Sequence, residues 1–243
     1  MNSALLKVES VGKQFGGLVA LSGVSFEVPR SSVVGLIGPN GSGKTTLLNV
    51  INGIYAADRG SVELDGASTH NKQPSDLAAI GVSRTFQNAR VFSTLTVEQN
   101  LFIPLLHQNG GERAKSIKRA EELLSFVGLE GHAGKTATNL SGGQKRLLEF
   151  ARALVTKPSL ILMDEPFAGV HPQIKATLIR CIKEIMERER ASFLIVSHEV
   201  PDLVNLSNLM VCLVEGEVVA SGNPHDVVHH EKVIEGYLGR GEE

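Results

Sequence analysis

The 243-residue sequence has only two cysteines, Cys181 and Cys212, and no CxxC spacing. Both lie in apolar or helical surroundings and read as buried, reduced thiols. No sign of charge dominates: 24 Lys+Arg face 26 Asp+Glu, a formal net charge of −2. That balance argues against a polybasic surface for nucleic acid or anionic lipid, although a local patch can sit inside a neutral total. Long hydrophobic runs are missing too. The longest, Leu209–Val214, has six residues, against the ~20 that a membrane-spanning helix needs. Met1, Asn2, Ser3 and Ala4 carry no basic stretch followed by an apolar core, so no secretory signal is visible. Nor is there an internal repeat, a low-complexity linker or a coiled-coil heptad pattern. The absences point to a soluble cytoplasmic domain. At 42% hydrophobic residues the composition is that of a folded chain and excludes disorder.

The patterning that is present divides the chain. Leu6 and Val8, then Val24, Phe26 and Val28, alternate at period two, as strands do. Residues 33–37 form a continuous apolar run, the mark of a strand buried on both faces. A helix is predicted over 45–52, closed by Gly53, and a strand over 61–64 before an Asp65-Gly66 turn. The middle is helical. Thr96 and Gln99 form a capping-box pattern for a helix over 96–107. Ile117, Ala120, Leu124 and Val127 share one face of a helix over 112–127, and a third helix is predicted over 141–155. Strands return at 160–163, 193–196 and 209–214, with a long helix over 172–190. Strand-rich ends thus flank a helical insert at 88–157, and the later strand–helix–strand units imply parallel pairing by right-handed crossovers.

The chemistry begins at Gly38-Pro39-Asn40-Gly41-Ser42-Gly43-Lys44-Thr45, which satisfies G-x-x-x-x-G-K-[ST] between a buried strand and a helix. Glycines allow the backbone to wrap a phosphate with its N–H groups, and the helix N-terminus adds partial positive charge. Lys44 is expected to reach β- and γ-phosphates, and the Thr45 hydroxyl to ligate Mg²⁺. The apolar strand ending at Asp164 and Glu165 places two carboxylates at the edge of the sheet where ligands of such folds bind. Asp164 is suited to hold Mg²⁺ through water, and Glu165 to act as general base on an attacking water. Ser141-Gly142-Gly143-Gln144 reads as a capping box. Its paired glycines, which are poor helix formers, equally suit the close approach of an anion to a bare helix end. His198 follows another apolar strand on the same sheet edge, within reach of a γ-phosphate.

Taken in order, the phosphate loop, Phe86-Gln87, the 140–144 segment, Asp164-Glu165 and His198 resemble the ATP-binding subunits of ABC transporters over essentially the whole chain. The resemblance implies an α/β fold of the P-loop NTPase (RecA-like) class. It would have a mostly parallel core, an N-terminal antiparallel β subdomain, and an inserted helical subdomain at 88–157 within one domain, 1–243. It implies that Phe15 stacks on adenine, that Thr46 joins the phosphate contacts, and that Gln87 senses Mg²⁺ and the attacking water. Ser141, Gly142, Gly143 and Gln144 would bind the γ-phosphate of ATP held by the opposite subunit, and His198 that of its own. Two cassettes would close head-to-tail on two ATP molecules.

The segments 15–21, 84–88, 95–101 and 233–239 further resemble the uptake ATPases for branched-chain (hydrophobic) amino acids. That subfamily implies a second ATPase, two membrane permeases, a solute-binding protein and a place on the cytoplasmic face of the membrane. Urea uptake and lipopolysaccharide export use similar cassettes and remain alternatives. A soluble ABC ATPase acting on nucleic acid is disfavoured by the single cassette and the missing CxxC. A small-molecule P-loop kinase leaves the 140–144 segment and His198 without a role. One departure stands out: His171 lies where the family usually has an Asp. The cluster His229-His230-Glu231 reads as a solvated terminus and not a metal site.

Overall fold

The computed structural model describes residues 4–106 and 110–238. In chain order the elements are β1 (Ala4–Phe15), β2 (Leu18–Pro29), β3 (Val33–Ile37), α1 (Lys44–Ile51), β4 (Arg59–Leu64), β5 (Ala67–Ser68), α2 (Pro74–Ala79) and β6 (Val82–Thr85). There follow α3 (Val97–Phe102), α4 (Gly110–Phe126) and α5 (Gly142–Leu154), interspersed with 3₁₀ turns. Then come β7 (Leu160–Asp164), α6 (Pro172–Glu189), β8 (Ser192–Val196), α7 (Val200–Leu206), β9 (Leu209–Val214), β10 (Glu217–Gly222), α8 (Pro224–Val228) and α9 (Glu231–Leu238).

Two sheets form. One is antiparallel in the order β2-β1-β4-β5, and the other runs β10-β9-β3-β8-β7-β6. Pairing in the second sheet is parallel throughout, except that β10 joins β9 antiparallel as a hairpin. Every residue of β3, β7 and β8 is buried, as continuous apolar runs require. Alternation then sends their side chains to two different cores. Val34, Leu36, Leu160, Leu162, Leu194 and Val196 pack with α1 and the antiparallel sheet. Val33, Ile37, Ile161, Met163, Phe193 and Ile195 pack with residues of α3, α4, α5 and α6. The helical segment thus shares a core with one face of the parallel sheet.

Most sequence expectations for these elements hold, with shifted ends. The helix predicted over 96–107 is shorter: α3 stops at Phe102 and a 3₁₀ turn, Ile103–Leu105, follows. Pro104 explains the break, since it cannot donate to the preceding helical carbonyl. His107 lies outside the described residues. Thr96 caps α3 through the reciprocal bonds that its spacing with Gln99 predicted. Asp65 and Gly66 take φ 52° and 74°, the twisted two-residue turn that joins β4 to β5. Both cysteines are buried, and burial pushes each thiol up to about 11. His229, His230 and Glu231 are exposed at the junction of α8 and α9. Among the described residues no helix is long and apolar enough to cross a membrane.

Candidate active site

The parallel strands β3, β7 and β8 all end at one edge of the sheet, and each hands a functional segment to it. The loop 38–43 leaves β3 and turns sharply into α1. Gly38 takes φ 150°, and a Cβ there would sit 2.0 Å from the Leu213 carbonyl oxygen. Gly43, at φ 103°, would place a Cβ 2.5 Å from the Ala20 carbonyl oxygen. No L-residue fits either position, so the loop is a cradle of bare backbone. Lys44 is buried, and its Nζ donates to the carbonyls of Gly38 and Pro39, both at 2.8 Å. Burial pulls the ammonium below its ordinary range, while Glu165 and Asp164 oppose that shift. The Ser42 hydroxyl is buried inside the same cradle without a hydrogen-bond partner. Thr45 is exposed at the start of α1, with Thr46 half-buried behind it.

Asp164 ends β7, buried and 3.5 Å from the Arg84 guanidinium of β6. Burial raises its pKa, and Arg84 counteracts the rise. Glu165 is held in the left-handed region at φ 49°, uncommon for a residue with a Cβ, and its N–H donates to the last carbonyl of β8, Val196, at 2.9 Å. Such strain concentrates at functional positions. The Glu165 carboxylate accepts at Oε2 from the His198 backbone N–H, at 3.1 Å, and lies 2.8 Å from His198 Nδ1. His198 therefore has one ring nitrogen engaged by Glu165 and the other free for a phosphate.

The remaining predicted residues sit around this centre. Phe15 is exposed at the end of β1, edge-on to Tyr55 with ring centroids 5.1 Å apart, a platform open to a flat ligand. Gln87 is exposed, but its backbone is not free. Arg146 of α5 donates to the carbonyls of Phe86 and Gln87 at 2.6 and 2.5 Å, and Glu149 accepts from the N–H groups of Phe86 and Arg90. Ser141 caps α5, with reciprocal bonds to Gln144, so the capping-box reading holds. The exposed turn Ser141-Gly142 remains available at a positive helix end. His171 caps α6, its Nδ1 accepting from the Gln173 N–H at 3.3 Å.

Besides Arg146 and Glu149, sequence reasoning misses Arg84 and Tyr237. Arg84 was noted only as part of a motif, because nothing in sequence pairs β6 with β7. Tyr237 lies near the chain's end, yet its buried hydroxyl accepts from the Gly38 N–H at 2.7 Å, and burial pushes the phenol up to about 12. No local signal could reveal a bond across 199 positions. Tyr237→Phe is expected to cost about 1 kcal/mol, the usual net worth of such a bond, and to weaken ATP binding. Thermal unfolding with and without ATP checks both effects.

Residues 21–168 match the ABC transporter family profile. The chain is 36% identical to the probable branched-chain amino acid transport ATP-binding protein LivG of Archaeoglobus fulgidus, over 97% of this chain and 95% of that one. It is 34% identical to the high-affinity branched-chain amino acid transport ATP-binding protein LivG of Salmonella typhimurium, over 98% of this chain and 99% of that one. Among solved structures, a nucleotide-free cassette from an ABC transporter superposes with a TM-score of 0.88 at 33% identity, covering 98% of this chain and all of that one. A dimeric cassette in a post-hydrolysis state, bound to ADP and phosphate, gives 0.79 at 28% identity, over 90% and 98%.

Proposed function

We propose that this chain, which belongs to the ABC transporter family of ATP-binding cassettes, is the ATP-hydrolysing subunit that powers uptake of branched-chain amino acids. The observation that carries the reading is the convergence of the phosphate cradle, Lys44, Asp164 and the Glu165–His198 pair on one sheet edge. Near-full-length similarity to proteins named for branched-chain amino acid transport supports the substrate class.

The residues fit ATP with Mg²⁺. Backbone N–H groups of 40–43, with Lys44 and Thr46, would take the β- and γ-phosphates, and Phe15 would take the adenine. Thr45, Asp164 and Gln87 would hold Mg²⁺, which neutralises phosphate charge when bound. Glu165, gripped at Oε2 by His198, keeps its other oxygen for an attacking water and receives that water's proton. The other ring nitrogen of His198 would face the γ-phosphate and, in the imidazolium form, donate to it. Exposed Ser141 and Gly142, with half-buried Gly143 and Gln144, would serve the site of an opposing cassette. Hydrolysis is then coupled to closure, because each site needs donors from two subunits. The helices within 88–157 would form the inserted subdomain that presents these donors.

The cassette would sit on the cytoplasmic face of the membrane with a second ATPase, two permeases and a solute-binding protein. The test is ATPase activity of the reconstituted complex. Binding protein loaded with leucine or isoleucine should stimulate it severalfold, whereas stimulation only by urea or by a lipopolysaccharide substrate would reassign the system.

A further inference from the structure

Arg84 has a buried side chain that reaches three parts of the site at once. Its Nη1 donates to Asn49 Oδ1 of α1, the helix that opens with Lys44, at 2.7 Å. Its Nη2 lies 3.5 Å from Asp164 Oδ2, both side chains being under 10% exposed. Its guanidinium carbon stands 5.0 Å from the ring centroid of Phe86, the residue before Gln87. A planar fork with two separate ends suits two fixed partners, where an ammonium would be a single point.

Two effects of this cation on a metal beside Asp164 oppose one another. Electrostatically it repels a second cation, and its removal would leave Lys44, Asp164 and Glu165 with a formal charge of −1, which favours metal. Geometrically, it pins a buried carboxylate. Without it Asp164 would turn away from the metal within the field of the other buried cations, Lys44 and Arg146. Losing one partner of a buried pair leaves an uncompensated charge, a larger penalty than a screened repulsion.

We propose that Arg84 is a positioning residue for the metal–ATP site: anchored on Asn49, it fixes Asp164 in the one orientation that serves the metal. The proposal rests on reading Asp164 as the metal-side carboxylate. The experiment uses the full chain with Mn²⁺ as probe, followed by the electron paramagnetic resonance signal of free Mn²⁺ at saturating ATP. ATP affinity is measured in parallel with EDTA. Arg84→Met is expected to weaken Mn²⁺ binding by about tenfold or more, in line with residues that orient metal ligands, and to leave metal-free ATP affinity within about twofold. Arg84→Lys should recover part of the loss. Unchanged or tighter Mn²⁺ binding would overturn the proposal, and so would an equal fall in metal-free ATP affinity, which marks a general structural role. Asp164→Asn separates the two layers: if it leaves Mn²⁺ binding intact, the reading of Asp164 itself fails. Should Arg84→Met not fold, Asn49→Ala removes the anchor alone, and a selective loss of Mn²⁺ affinity supports the proposal where no change refutes it.

Discussion

Replacing Glu165 by glutamine is expected to lower ATP turnover by roughly 10²- to 10⁴-fold, the usual contribution of a positioned base, with ATP binding little changed. Glutamine keeps the size and can keep the bond from the His198 N–H, which reaches Oε2 at 3.1 Å. What it loses is the ability to take a proton from water. Lys44, the loop backbone and Asp164 are untouched, so the nucleotide remains held, and the cassette dimer should accumulate in a closed, ATP-bound form. Phosphate release, nucleotide binding and the oligomeric state in ATP are the three measurements. Turnover near that of the unmodified protein would remove Glu165 from the role of base. His198→Ala should have a smaller effect, because Glu165 keeps its strained backbone position through the Val196 carbonyl.

The second large effect falls on the loop itself. Gly38→Ala would drive a methyl group to 2.0 Å from the Leu213 carbonyl oxygen and 2.8 Å from Ser42 Oγ, in a backbone conformation that alanine rarely adopts. Neither β9 nor the loop can retreat, since β9 pairs with β3 up to Ile37. A loss of about 3 kcal/mol or more is expected, equal to a fall in Tm of roughly 6–12 °C for a chain of this size, together with loss of ATP binding. Gly41 is the comparison: at φ 79° it too is left-handed, but a Cβ there meets nothing within 4 Å. Gly41→Ala should cost about 1 kcal/mol. Equal effects at the two positions would mean that backbone freedom alone matters and the close approach to Leu213 does not.

Legibility in sequence followed the range of the interaction. The buried strands, the phosphate loop, both capping boxes and the two acids after β7 are written in contiguous residues, so periodicity and spacing exposed them. The Gly38–Tyr237 bond and the Arg84–Asp164 pair join residues that only the sheet order and the return of α9 bring together. Short or exposed elements escaped for another reason. The edge strand β10 is only partly buried and α2 buries Leu77 alone, so neither carries a periodic apolar stripe. The departure at His171 acquires a local explanation as the cap of α6, a role that an aspartate also fills. For Gln87, the sequence pointed to the side chain, while the structure adds the clamp of Arg146 and Glu149 on its backbone. Those two residues stand on α5, the helix capped by Ser141. A rigid helix therefore runs from the turn proposed to meet the opposing nucleotide to the loop proposed to sense the cassette's own.

The most direct measurement of the central claim is accumulation of radiolabelled leucine in proteoliposomes. These would carry the cassette with its permeases and second ATPase, with loaded binding protein outside and ATP with Mg²⁺ inside. Accumulation should require internal ATP and collapse when Glu165→Gln replaces the native residue. Leucine accumulation that persists without ATP, or ATP hydrolysis that never moves leucine, would contradict it.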